Sequence, residues 1–188
     1  MTTPPIPTLA TGRLALRPFA LSDATDVQRL AGDYQVATTT LTIPHPYEDG
    51  VAEAWIETHE ERWASSRHLT LAITTEVEGL VGAVSLQQRP PHRRAELGYW
   101  IARRFWGRGF ATEAARAVVA YGFRELGLNK IDAHYLARNP ASGRVMEKVG
   151  MAREGILRQH IVKWEEPEDV VMYGILASEF HGGETSAG

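Results

Sequence analysis

Cysteine is absent from the chain. That excludes disulfides, thiolate metal centres and a cysteine-bound acyl intermediate. Long apolar runs are also missing: no stretch approaches the ~20 residues that span a bilayer. The Pro/Thr-rich start, Met1 to Leu9, lacks the apolar segment of a secretion signal. Neither sign of charge dominates, since 20 Lys and Arg against 23 Asp and Glu leave a net −3. There is accordingly no broad basic footprint for nucleic acid. The seven histidines show no metal-ligand spacing, and His59-Glu-Glu-Arg-Trp63 is not His-Glu-x-x-His. These absences point to a cytoplasmic protein with no membrane, nucleic-acid or metal partner.

The chain's 188 residues, 44% hydrophobic and 23% charged, suit one globular domain with a sizeable core. We expect that domain over residues 11–180, with a flexible arm at 1–10 and a flexible tail at 181–188. Leu14 to Phe19 reads as a short strand, and Ser22 as the N-cap of a helix through about Ala31. Residues 32–46, with Gly32, Pro44 and Pro46, read as mostly loop with room for a short helix. Asp49 to Ala64 has helical spacing. Leu69 to Thr74 and Leu80 to Gln87 form a hairpin through Glu78-Gly79. Gln88 to Arg93 holds Pro90-Pro91 and reads as loop. Ala95 to Ile101 is the next strand, followed by a helix from Ala111 to Glu125 that Gly127 ends. A strand at 130–136 precedes a helix with Asn139 as N-cap and Pro140 at its first position. Strands at about 152–164 and 169–177 close the order. Strands first, then β-α-β-α-β-β, means a mixed α/β fold with parallel pairing in mid-sheet.

The segment Arg103-Arg104-Phe105-Trp106-Gly107-Arg108-Gly109-Phe110-Ala111-Thr112 is the most informative. A strand, a glycine turn and a helix start make an anion site, because the first N–H groups of a helix have no internal partner and carry the positive dipole end. Gly107 and Gly109 clear side chains from the approach, and Arg103, Arg104 and Arg108 add cations. A pyrophosphate fits. No Gly-Lys-Ser/Thr follows, so this is not a nucleotide P-loop, and the third glycine of a dinucleotide fingerprint is missing.

Arg104-x-x-Gly107-x-Gly109 resembles the acyl-CoA pyrophosphate loop of the GNAT N-acyltransferase superfamily. Thr11 to Pro18, Glu96-Leu-Gly-Tyr-Trp-Ile101, Asn139 to Met151, Arg153 to Arg158 and Asp169 to Leu176 are similar, in order, to segments of its ribosomal-protein N-acetyltransferase (RimJ/RimL-like) branch. The resemblance covers roughly residues 11–180. It implies a GNAT-like fold, a mixed sheet of about six to seven strands flanked by about four helices. It also implies acetyl-CoA as cosubstrate and direct attack of a primary amine on the thioester. The acceptor the branch suggests is a protein N-terminal amine. A small amine, a polyamine or an antibiotic stays open, as does a catalytically silent acyl-CoA-binding module. The closing hairpin leaves room for a homodimer.

The resemblance also assigns residues. Trp100 and Ile101, with Ala102, offer backbone to pantetheine. Arg104, Gly107, Arg108, Gly109, Ala111 and Thr112 cradle the pyrophosphate. Asn139 and Ser142 touch the coenzyme, although capping alone also explains Asn139. Ser142 sits at a helix start, where a developing thiolate is favoured, and is the candidate acid, because the tyrosine many members carry later in this helix is missing. Glu96 is the candidate proton acceptor for the amine; a structural pairing with Arg93 or Arg94 is the alternative. His45, Tyr47, Trp55 and Trp63 lie in the variable segment that tends to build the acceptor pocket. His134 and His160 fall on expected strands from which either can approach the site, and neither has an assigned role.

Overall fold

A computed structural model describes residues 4–181. The first strands, β1 (Leu9–Ala10) and β2 (Ala15–Arg17), form one sheet edge. A turn at Leu21–Asp23 leads into α1 (Ala24–Ala31), α2 (Tyr34–Thr39) and α3 (Val51–Ser66). Next come β3 (Leu69–Thr75), β4 (Gly79–Arg89), β5 (Arg94–Ile101), α4 (Phe110–Arg124) and β6 (Lys130–Leu136). The chain closes with α5 (Pro140–Val149), β7 (Ala152–Lys163) and β8 (Glu166–Leu176). Among the described residues no helix is long and apolar enough to cross a membrane.

The sheet runs β1-β2-β3-β4-β5-β6-β8-β7. Every pairing is antiparallel except β5 with β6, which the α4 crossover joins in parallel. Eight strands stand where six to seven are expected, and five α-helices where four are expected, because the short β1 and α2 add one each. The expected arm packs from Pro4 onward: Leu9 and Ala10 pair with Leu16 and Ala15, and Trp63 Nε1 donates to the Pro4 carbonyl at 2.7 Å. Asp23, not Ser22, organises the start of α1. Its carboxylate accepts from the Ala20 N–H at 2.9 Å and from both Arg17 Nη atoms at 2.8 Å. Two prolines without donors end the β4–β5 ladder, yet Gln88 and Arg89 still pair with Ala95 and Arg94, so the turn shrinks to 90–93.

One face of the sheet carries Leu71, Val84, Leu86, Ala95, Leu97, Ile131 and Ala133, all buried. α4 and α5 cover it. Gly122 allows α4 to approach closely: a Cβ there would lie 2.9 Å from Ile131 Cδ1 and 3.0 Å from Leu86 Cδ1. Burying each Leu or Ile here contributes about 1.5–3 kcal/mol. On the opposite face α1 packs on β4 and α3 on β3. The same face of β5 and β6 carries polar residues, and a cavity lies over it.

Candidate active site

The parallel pair β5–β6 is registered only from Arg94–Lys130 to Leu97–Ala133. Beyond that point the strands diverge, and among the described residues the edge of β5 from Gly98 to Ile101 that faces β6 has no strand partner. An unpaired strand edge accepts an extended, amide-bearing chain as an added strand. The Ile101 carbonyl is partly committed, since Trp106 Nε1 donates to it at 2.7 Å.

From Ile101 the chain turns through Arg103–Phe105 to Gly107 and Gly109, whose φ of 78° and 81° lie in the left-handed region that suits glycine. Gly109 is the N-cap of α4, so the N–H groups of Phe110, Ala111 and Thr112 open at the positive end of the helix. A clamp holds this loop. Glu113 accepts from Thr11 Oγ1 at 2.6 Å and from Arg13 Nε at 2.7 Å, and Arg13 Nη1 donates to the Arg108 carbonyl at 3.0 Å. Burial opposes the Glu113 charge, but these bonds outweigh it and hold the carboxyl below its ordinary range. A cavity of about 320 Å³ opens here, lined by Trp100, Ile101, Gly107, Gly109, Ala111, Thr112, Asn139 and Ser142.

A second cavity, about 550 Å³, lies over the polar face between the α1–α3 layer and the sheet. Register builds its floor. Ala83 and Trp100 stand opposite one another, as do Thr70, Ser85 and Gly98, and then Gln87 and Glu96. Alternation places these rows on one face. Val27, Val51 and Trp55 form the apolar wall, and Thr40 to Pro44 form the rim. Glu96 is the one carboxylate in the lining. Arg89 Nη2 donates to it at 3.1 Å, and His134 Nδ1 lies 3.6 Å from its other oxygen.

The two cavities share Thr39, Thr40, Tyr99, Trp100 and Ser142. At that junction the Tyr99 hydroxyl is 2.8 Å from Ser142 Oγ and 3.0 Å from the Ser142 carbonyl. Burial pushes the Tyr99 phenol up to about 12, against the Ser142 bond, so it stays protonated at any working pH. Two arrangements satisfy the pair. Either Tyr99 donates to the carbonyl and Ser142 to the phenol, or Tyr99 donates to Oγ and leaves the Ser142 hydrogen free. The second presents a hydroxyl donor at the mouth of the first cavity.

A glycine-capped helix start, an unpaired strand edge and two cavities meeting at a hydroxyl pair are the parts of a two-substrate transfer site. The family model described as "Acetyltransferase (GNAT) domain" matches residues 13–152. This chain belongs to the GNAT acetyltransferase family. It is 34% identical over 174 residues to the uncharacterized N-acetyltransferase YoaA of Bacillus subtilis, covering 90% of this chain and 97% of that one. Spermidine N(1)-acetyltransferase of Escherichia coli is 30% identical over 142 residues, 76% of this chain and 74% of its own. A crystal structure of a GNAT acetyltransferase from Bacillus anthracis superposes with a TM-score of 0.80 at 28% identity, covering 92% of this chain and 99% of that one. With such relatives the chain is an N-acetyltransferase.

Within this GNAT site the expected residues divide. Trp100, Ile101, Gly107, Gly109, Ala111, Thr112, Asn139 and Ser142 line one cavity, and Glu96 lines the other. The Arg104 and Arg108 side chains are not part of either lining: Arg104 lies over the Phe105 ring at 4.5 Å, and Arg108 over the same ring with Glu78 at 3.7 Å. The cations in the lining are Arg144 and Lys148, one turn apart on α5. Their i,i+4 spacing after Asn139-Pro140 was the available signal. Asn139 occupies the N-cap position but does not cap; its Nδ2 donates to the Thr39 carbonyl at 3.3 Å, tying α5 to α2. Glu96 pairs with Arg89 rather than Arg93 or Arg94, because Arg94 reaches Asp132 and Arg93 donates to the Gly127 carbonyl. Tyr47 and Trp55 line the second cavity, whereas Trp63 is a buried core residue and His45 sits against Tyr34. His134 lines that cavity too. Tyr99, which lines both cavities and meets Ser142, is the candidate residue that sequence reasoning missed.

Proposed function

We propose that residues 11–180 act as one transferase unit that moves acetyl from acetyl-CoA to a single primary amine by direct attack. The meeting of the two cavities at Tyr99, Trp100 and Ser142 carries this reading. Acetyl-CoA enters from the α4 side. Its pyrophosphate meets the Gly107–Thr112 loop, with Arg144 and Lys148 nearby, and its pantetheine follows the free edge of β5. The thioester then lies at the junction, where Ser142 hydrogen-bonds the departing thiolate. The amine reaches the same carbon from the larger cavity, past Glu96. Holding both reactants in line supplies much of the rate by itself, and no covalent protein intermediate is required.

For the acceptor we favour the α-amine of a peptide or protein N-terminus, as in the RimJ/RimL-like branch, in the cytoplasm. A polyamine brings several positive charges, and the lining offers one carboxylate that Arg89 already engages. The likeness to spermidine N(1)-acetyltransferase makes the polyamine the rival to exclude. The test is a screen with acetyl-CoA, reading free thiol and product mass. Its panel is short peptides with free α-amines, the same peptides N-blocked with a lysine retained, spermidine, and free amino acids. We expect the free N-terminal peptides to lead. Spermidine outpacing them overturns the acceptor assignment. CoA binding without turnover of any amine overturns the catalytic one.

A further inference from the structure

We infer that His134 is the base that takes the amine proton, and that Glu96 is a positioning residue for its ring. This rests on the proposed reading that the amine approaches through the larger cavity. Register supports it. Glu96 stands opposite Asp132, one pair below the last β5–β6 pair, Leu97–Ala133. His134 is the first β6 residue past that pair and projects to the same face as Asp132 and Glu96. It thus stands at the lip of the divergence, level with Gly98 and nearer the junction than Glu96 by two residue rises of ~3.3 Å each.

The side chains agree. Glu96 is already engaged, because Arg89 Nη2 donates to one of its oxygens at 3.1 Å and forms an ion pair with it. His134 lines the cavity, with side-chain exposure of 18%, and its Nδ1 faces the free Glu96 oxygen at 3.6 Å. A carboxylate on that side favours the tautomer with hydrogen on Nδ1 and a bare Nε2. Apo distances of this kind tighten on substrate binding. The other charged and titratable groups around the ring are few. Asp132 precedes it on β6 and is paired with Arg94, and Arg62 and His68 share the cavity from the α3 end.

The protons balance. The ammonium gives one proton to Nε2, which passes it to water at the cavity mouth. The neutral amine attacks, the N–C bond forms as the C–S bond breaks, and the second proton lost by nitrogen matches the one the sulfur gains.

Two measurements on the full chain test this. The first is ¹⁵N NMR of the histidine rings in the free protein. His134 should show the Nδ1–H tautomer at alkaline pH, and Glu96→Gln should perturb it; an Nε2–H tautomer overturns the proposal without need of any acceptor. The second is the pH profile of kcat/KM on the best amine of the screen. His134→Gln should retain CoA-dependent thermal stabilisation, lose ~10²-fold at neutral pH and recover as the amine deprotonates by itself. Added imidazole should restore part of the rate to His134→Ala. The double variant with Glu96→Gln should lose no more than His134→Gln alone, because the two act as one unit. A His134→Gln profile within threefold of the parent, no imidazole rescue, or losses that multiply in the double variant overturn the assignment. A parent that turns over no amine sinks the catalytic reading instead, and the ring then stands or falls on its tautomer.

Discussion

Removing the Ser142 hydroxyl tests the junction most directly. The Tyr99 phenol and Ser142 Oγ lie 2.8 Å apart, and the phenol, pushed up to about 12, remains a donor. If Ser142 stabilises the departing thiolate, its contact strengthens only as the C–S bond opens. Ser142→Ala should therefore lower kcat and leave the acetyl-CoA KM nearly unchanged. Acid assistance is worth ~10²–10⁴-fold, or about 2.7–5.4 kcal/mol of barrier. Tyr99→Phe removes one neutral hydrogen bond from Ser142, about 1 kcal/mol net, so roughly a fivefold fall is expected. If Tyr99 acts through Ser142, the double variant is no slower than Ser142→Ala alone. Steady-state thiol release at saturating amine measures all four proteins. A raised pKa keeps the phenol neutral below about pH 12, so no limb from its ionisation should appear up to pH 10. A Ser142→Ala loss under about threefold, or multiplying losses in the double variant, refutes the acid role and the relay respectively.

Gly109→Val should abolish measurable CoA binding in a folded protein. The residue needs φ of 81°, and an added Cβ would lie 3.4 Å from Arg13 Nη2, in the clamp that holds the loop; calorimetric titration with CoA checks it, and parental affinity refutes the loop assignment. His59 gives the fold an acid limit. It is 4% exposed, neither ring nitrogen has a partner among the described residues, and burial pushes its pKa down to about 4. The unfolded chain binds the proton first, near pH 6.5, so stability is full above that value. It falls by about 3 kcal/mol as pH drops through the folded pKa. Urea titrations between pH 4 and 7 should show that slope, and His59→Phe should flatten it.

The conformation of the glycine loop is legible in the sequence because its requirements are local. Gly107 and Gly109 must take left-handed φ, and the helix beginning beside them must leave its N–H groups open; both follow from neighbours in the chain. Asn139 shows the limit of that reasoning. Its position at the start of α5 was right, but the α2 carbonyl of Thr39 claims its amide, and nothing near Asn139 in sequence announces α2. Tyr99 was hidden for a different reason. Period-two alternation puts it on the face opposite Glu96, Gly98 and Trp100, with Leu97 and Ile101, so it reads as core. It reaches the junction because β5 and β6 part after Leu97 and Ala133, which opens a passage between the two faces of the sheet. The same parting promotes His134 from a strand histidine to a cavity residue, and demotes Glu96 to the row beneath. Distance along the strand, not residue type, separates their roles. A sequence states which residues are able to carry a proton, but the register of a parallel pair decides which one stands at the lip where the amine and the thioester meet.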